Sequence, residues 1–448
     1  MSQDPENPEN PFKGTPFEAL FQQLGGGLPG GAGAPDLGAI FAQVQQLLSG
    51  SGDGRPVNWA LAKDIARKTV SAGGDRSMSA TDQQQVAEAV RLADHWLDPV
   101  TTLPEASSAS AAWSRAEWIE NTLEVWQQVV DPVAEHIAGA MAGALPAEAQ
   151  QLAGPMAGML RQLGGSIFGA QVGQALGGLA GEVVSASDIG LPLGPNGRAV
   201  LLPDNVARFA EGLGLSDEDV RLYLALRECA HQRLFASVPW LRQRLLSTVA
   251  EYAAGIQVDT AKIEQAMADV DMSNPEAMQA ALTGGMFEPE LSEQQKAALT
   301  RLETLLALVE GWVDDVVREA TRDRMPAATQ LAETVRRRRA AGGPAEQTFA
   351  TLVGLDLRPR RLRDAANLWA AVRDARGVEG RDDLWSHPDL MPGTADLDDP
   401  IGFAHQAGDL VDIDISDLEK LTGEAPEEPG GESGGDSGSE GTGGGPQR

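Results

Sequence analysis

Arg227, Glu228 and His231, within Leu226-Arg227-Glu228-Cys229-Ala230-His231-Gln232-Arg233-Leu234-Phe235, have the spacing of a metal-dependent hydrolase helix. In the pattern H-E-x-x-H, two histidines one helical turn apart hold a zinc ion. The glutamate between them is general base toward a metal-bound water. Glu228 stands at the general-base position and His231 at the second histidine, but the first position is Arg227. A guanidinium stays protonated and has no lone pair to donate, so Arg227 cannot be a ligand. The pentapeptide alone is also what an ordinary amphipathic helix carries.

Other groups that could do chemistry are scattered. Cys229 lies two residues before His231 and points to a different side of the helix. His387, in Ser386-His387-Pro388-Asp389, is either an accessory donor or a cap on a turn. His95, His136 and His405 have no companion pattern. No G-x-S-x-G turn joins a strand to a helix, and the Gly-rich run 25–31 is not placed to cradle phosphate. Arg336 to Arg339, followed by Arg358, Arg360, Arg361 and Arg363, form a local basic cluster. It suits either a grip on an anionic ligand or acidic partner, or, as the favoured reading, a helix C-terminus paired with nearby acids.

The elements that must position these groups are mostly helices. Ser216-Asp217-Glu218-Asp219 gives the motif helix an N-cap and an acidic first turn, and Pro239 sets its end. Leu224, Leu226 and Leu234 are its candidate buried flank. Apolar spacing of three and four marks helices over 57–72 and 82–97. Trp113, Trp118 and Trp126 fall in a further helix over 111–130. Residues 198–203, stopped by Pro203, are the clearest strand. Glycines at 165, 169, 173, 177 and 181 recur every four residues without a charge between Arg161 and Glu182. A membrane helix with a packing face would show this ladder. The segment is only weakly apolar, which favours a buried helix in close contact with the run 138–144.

Several segments in order, Val238-Pro239-Trp240-Leu241, Val309-Glu310-Gly311-Trp312, Arg339-Ala340-Ala341-Gly342-Gly343-Pro344, Gly354-Leu355-Asp356 and Leu384-Trp385-Ser386-His387-Pro388, accompany the motif helix. Together they resemble the zincin-like family found mainly in actinobacteria, whose members are labelled zinc-dependent metalloproteases or hydrolases. The resemblance spans residues 90–405. It implies zinc on two helix histidines and a later glutamate: His231 matches the second histidine, Glu228 the base and Glu310 the third ligand. It also implies a substrate-binding strand edge just ahead of the motif helix. Arg227 departs from the pattern. The simplest physical reading is that Arg227 replaces the volume and charge of the metal, pairing Glu310 or Glu228. The rival keeps zinc on His231, Glu310 and a donor from elsewhere, such as Cys229, His387 or an aspartate.

The bulk numbers narrow the classes. The 448 residues carry a net charge of -30, which argues against general affinity for nucleic acid or anionic membrane. One cysteine excludes an internal disulfide and suits a cytoplasmic setting, and no signal peptide is read at the N-terminus. The expected architecture is mainly α: a zincin-like helical domain over 56–418 with at most a small β element before the motif helix. A disordered N-terminal arm over 1–55 and an acidic Gly/Ser tail over 419–448 flank it. The expected function is a family member with a degenerate zinc site, non-catalytic and binding a peptide or protein in the old cleft. The alternative is an active zinc hydrolase with a reorganised site.

Overall fold

The computed structural model describes residues 55–106, 109–143, 154–255, 292–340, 348 and 361–409. The terminal arms therefore lie outside the described residues, as do Arg358 and Arg360. The described residues up to Ala404 form one compact unit, and those from His405 belong to a second. The fold is mainly α. In order come α1 (Trp59–Ala72), α2 (Ala80–Leu97), β1 (Ala109–Ala112), α3 (Arg115–Gly143) and α4 (Gly154–Ala180). Then follow β2 (Arg198–Leu201), α5 (Pro203–Ala210), the motif helix α6 (Asp217–Ser237) and α7 (Pro239–Ala254). After these run α8 (Glu293–Thr321), α9 (Ala328–Ala340), α10 (Leu362–Asp382) and α11 (Pro400–Asp409).

Local chemistry sets the boundaries. Ser79 and Asp82 close a reciprocal cap on α2, and Ser292 with Gln295 does the same for α8. The Ser216 side chain accepts from the Asp219 N–H at the start of α6, and Pro239 opens α7 directly after it. Residues 111 and 112 belong to β1 and not to the helix expected over 111–130. The Glu117 carboxylate accepts from the Ser114 N–H, while the Ser114 hydroxyl accepts from the Glu117 N–H. This S-x-x-E box starts α3 after Trp113 and was readable in the sequence.

The two strands pair in parallel, with Ala109 opposite Arg198 and Ala112 opposite Leu201. β2 ends at Leu201, earlier than expected, because Pro203 begins α5. The expected substrate-binding edge is occupied. The Leu202 N–H donates to Val184 O, the Ala186 N–H to Val200 O, and the Val200 N–H to Glu228. On the outer side of β1, Gln83 both donates to Ala112 O and accepts from Ala112 N–H.

The glycine ladder packs α4 against α1; the side chains of the run 138–144, expected as its partner, lie largely outside the described residues. A Cβ on Gly169 would stand 2.6 Å from Asn58 O, and one on Gly173 2.5 Å from Ala62 O. One on Gly177 would meet Thr69 Cβ at 2.7 Å. The backbones of the two helices touch through the gap that the missing side chains leave. Among the described residues no helix is long and apolar enough to cross a membrane. Gly173→Ala is therefore expected to push α1 from α4 and destabilise the fold by about 1–3 kcal/mol. Gly178→Ala, whose Cβ would meet nothing within 4 Å, is the matched control and gains up to about 1 kcal/mol from helix propensity. Equal urea midpoints for the two variants would contradict this packing.

Candidate functional site

The motif helix is buried on every face from Tyr223 to Phe235, so each charge on it must find its partner inside the protein. Arg227 Nη2 donates to Glu310 Oε2 at 2.6 Å, and both side chains are buried. Arg339 Nη1, from α9, reaches the same Glu310 oxygen at 2.8 Å. His231 Nε2 lies 3.0 Å from Glu310 Oε1, while His231 Nδ1 lies 2.9 Å from the backbone oxygen of Arg227, one turn back. The ring is thereby held between two acceptors, one on its own helix and one on α8. Glu310 is thus surrounded by two guanidiniums and an imidazole.

Burial alone would push the Glu310 carboxyl up. Arg339, His231 and Arg227 overcome it and hold the group well below its ordinary value of 4.5. Arg227 is the reciprocal case. Burial opposes its charge, and Glu310, with Tyr223, Asp314 and Asp188, more than restores it. Gly190 has φ +77°, and a Cβ there would come within 2.9 Å of Glu310 Oε1. A glycine is needed at that point to let the carboxylate sit where the cations meet.

Glu228, the general-base position, faces the other way. Its Oε2 accepts from the Ser187 N–H at 3.1 Å, and its Oε1 accepts from Gln232 Nε2 at 3.0 Å and the Val200 N–H at 3.4 Å. Burial pushes its carboxyl up, against the opposing pull of His231, Ser185, Gln232 and the Ser187 amide. The two glutamates nearest the motif helix are displaced in opposite directions, the pattern of an acid–base pair. Glu228, however, has no exposed surface through which to reach a substrate.

The helix carrying Glu310 is braced from the side away from Arg227. Asp315, one turn after Gly311, accepts from the fully buried Arg381 at 2.9 Å. Asp382 accepts from Arg381 Nε at 2.8 Å and from Trp312 Nε1 at 2.9 Å. Gly311 lets α8 and α10 close up, since a Cβ there would stand 2.7 Å from Ala365. Trp369 Nε1 donates to Leu308 O, Trp369 stacks on Trp385, and Trp240 donates to Trp385 O. Arg339, Arg381 and Asp382 carry the site without a motif to announce them. For Arg339 the only signal was the basic run 336–339.

The remaining candidates do not join the cluster. His387 is exposed and caps a short turn, its Nδ1 accepting from the Asp389 N–H at 3.2 Å. Cys229 is buried, with its thiol toward Val90 O. His95, His136 and His405 are exposed. Among the described residues no three His, Cys, Asp or Glu side chains are grouped to hold a metal ion. His231 and Glu310 are the two potential donors brought together.

A family model described as zincin-like metallopeptidase matches residues 57–404. This chain belongs to that family. The match takes in α1 and the first half of α2, which the resemblance over 90–405 left outside. Among solved structures, a protein from Chloroflexus aurantiacus, titled "putative hydrolase with a novel fold", shares the fold with a TM-score of 0.57 and 23% identity. The alignment covers 79% of this chain and 99% of that one. No curated protein matches.

Two measurements check the geometry of this family member's site. Removing Arg227 leaves Glu310 to Arg339 and His231. Arg227→Ala should therefore cost about 3 kcal/mol, the low end of what breaking a buried pair costs. An unchanged urea midpoint would refute the pairing. For pH, the folded Glu310 carboxyl titrates below its ordinary value of 4.5. Its contribution is fully present above that value and is lost as pH falls below it. Glu310→Gln should be less stable than wild type at neutral pH, and the gap should narrow below about pH 4. A gap that stays constant with pH would count against the ionised cluster.

Proposed function

We propose that this zincin-like family member is a binding protein and not a peptidase, with the Arg227 guanidinium standing where the resemblance puts the charge of a metal ion. The observation that carries this reading is the 2.6 Å contact between Arg227 and Glu310, both buried. Zinc needs lone pairs from three or four ligands. Here both Glu310 oxygens are already engaged, Oε2 by two guanidiniums and Oε1 by the His231 imidazole. Two guanidiniums within hydrogen-bond distance of that carboxylate would also repel a dication placed beside it. The donor set does not fit zinc, and without a metal the lowering of a bound water's pKa is not available. Glu228 is then a structural tie between the motif helix, β2 and the loop at Ser187.

The binding reading extends to the ligand class of a peptide or protein taken up next to α6, α8 and α9. A net charge of -30 disfavours nucleic acid as that partner. A lone, buried cysteine suits a reducing, cytoplasmic setting.

Metal analysis of zinc-loaded and desalted protein tests the proposal. Wild type should retain well below one zinc per chain. Stoichiometric zinc that disappears in His231→Ala and Glu310→Gln would support the alternative of an active zinc hydrolase with a reorganised site. Arg227→His restores H-E-x-x-H but leaves Arg339 on Glu310. Arg227→His combined with Arg339→Gln should therefore bind zinc more tightly than Arg227→His alone. The reverse order would contradict the role given to the two guanidiniums.

A further inference from the structure

Beside the Arg227–Glu310 pair lies a cavity of ≈ 180 Å³ whose wall includes Arg227, Arg318, Arg336, Arg339 and Arg363. Among the described residues, Glu310 and Asp314 are the carboxylates that line it. Among the described lining residues five guanidiniums face two carboxylates, in a chain whose net charge is -30. Arg227 and Arg339 are engaged with Glu310. The other three keep donors to spare. Arg318 spends one nitrogen on Asp315. Arg336 approaches Glu333 at 3.4 Å, while its buried Nε has no hydrogen-bond partner. Arg363 is exposed at the rim, where its charge acts on Glu333 alongside Arg336 and Arg337.

A buried guanidinium N–H without an acceptor is costly, and like charges crowded at one wall repel. An arrangement that keeps them together is completed by a ligand that brings both acceptors and negative charge. We propose that this cavity binds a phosphoryl group of a small phosphorylated molecule. Guanidinium forks match the oxygens of phosphate and carboxylate alike. Several guanidiniums converging on one cavity favour the group that carries close to two negative charges over a single carboxylate. At about 30 Å³ per water, the cavity holds on the order of six waters, room for a phosphoryl group. The proposal shares with the preceding reading only the assumption that Arg227 and Arg339 remain ion-paired to Glu310.

The test uses full-length protein treated with chelator and desalted, at low salt, with inorganic phosphate, pyrophosphate and succinate as probes. Phosphate and pyrophosphate should raise the melting temperature of wild type, pyrophosphate more strongly, and added chloride should weaken both effects. In Arg336→Gln/Arg363→Gln the Kd for pyrophosphate, by calorimetry, should rise at least about tenfold. Arg363→Glu, at an exposed position where folding is not at stake, should weaken binding further than Arg363→Gln. No response to either phosphate probe, equal Kd values in wild type and variants, or succinate binding as tightly as pyrophosphate would each overturn the proposal. Because the protein is metal-free, these outcomes are independent of zinc retention, so failure here and failure of the metal-replacement reading are separable.

Discussion

A carboxylate buried between helices can persist as an anion only where cations meet it, and Glu310 is where this protein satisfies that constraint. Its two oxygens receive Arg227 from α6, Arg339 from α9 and His231 from α6 again. Three contacts of about 3 Å thus tie three helices to one functional group. Coulomb attraction and hydrogen bonding together outweigh a desolvation penalty of several kcal/mol per buried ion. Loss of any one of these partners leaves the others in place, but loss of Glu310 would leave two guanidiniums facing one another beside the His231 imidazole.

That arrangement holds only if α8 is fixed from behind. The brace is both polar and aromatic. Arg381, with no exposed surface, bridges Asp315 and Asp382, and Asp382 also takes the Thr101 hydroxyl and the Trp312 indole. Trp240, Trp385 and Trp369 form a stack that carries α7 to α10 and, through Leu308 O, to α8. The segments of family resemblance around Trp240, Glu310-Gly311-Trp312 and Trp385 are therefore parts of one support and not separate sites. What they hold steady is the position of a single glutamate.

The sequence made some of this legible for physical reasons. Periodicity and caps located α1, α2 and α6, since both are local signals. Arg227 was readable because an arginine at a ligand position is a chemical contradiction. Whether it met Glu310 or Glu228 was not readable, because 83 residues separate it from Glu310. The same distance problem hid Arg339 and Arg381, whose partners lie on other helices. The strand β1, four residues of alanine and serine, has no β-branched or aromatic residue to mark it. The glycine ladder announced a close helix contact without naming the partner, because glycine records only where a side chain is forbidden.

The central claim is that an ion pair occupies the role of a metal. A double-mutant cycle on Arg227→Met and Glu310→Gln, followed by urea unfolding with zinc present and again with chelator, tests it most directly. The account predicts a coupling of about 2 kcal/mol between the two side chains and no effect of zinc or chelator on wild-type stability. Coupling near zero, together with a wild-type protein that loses stability on chelation, would contradict it.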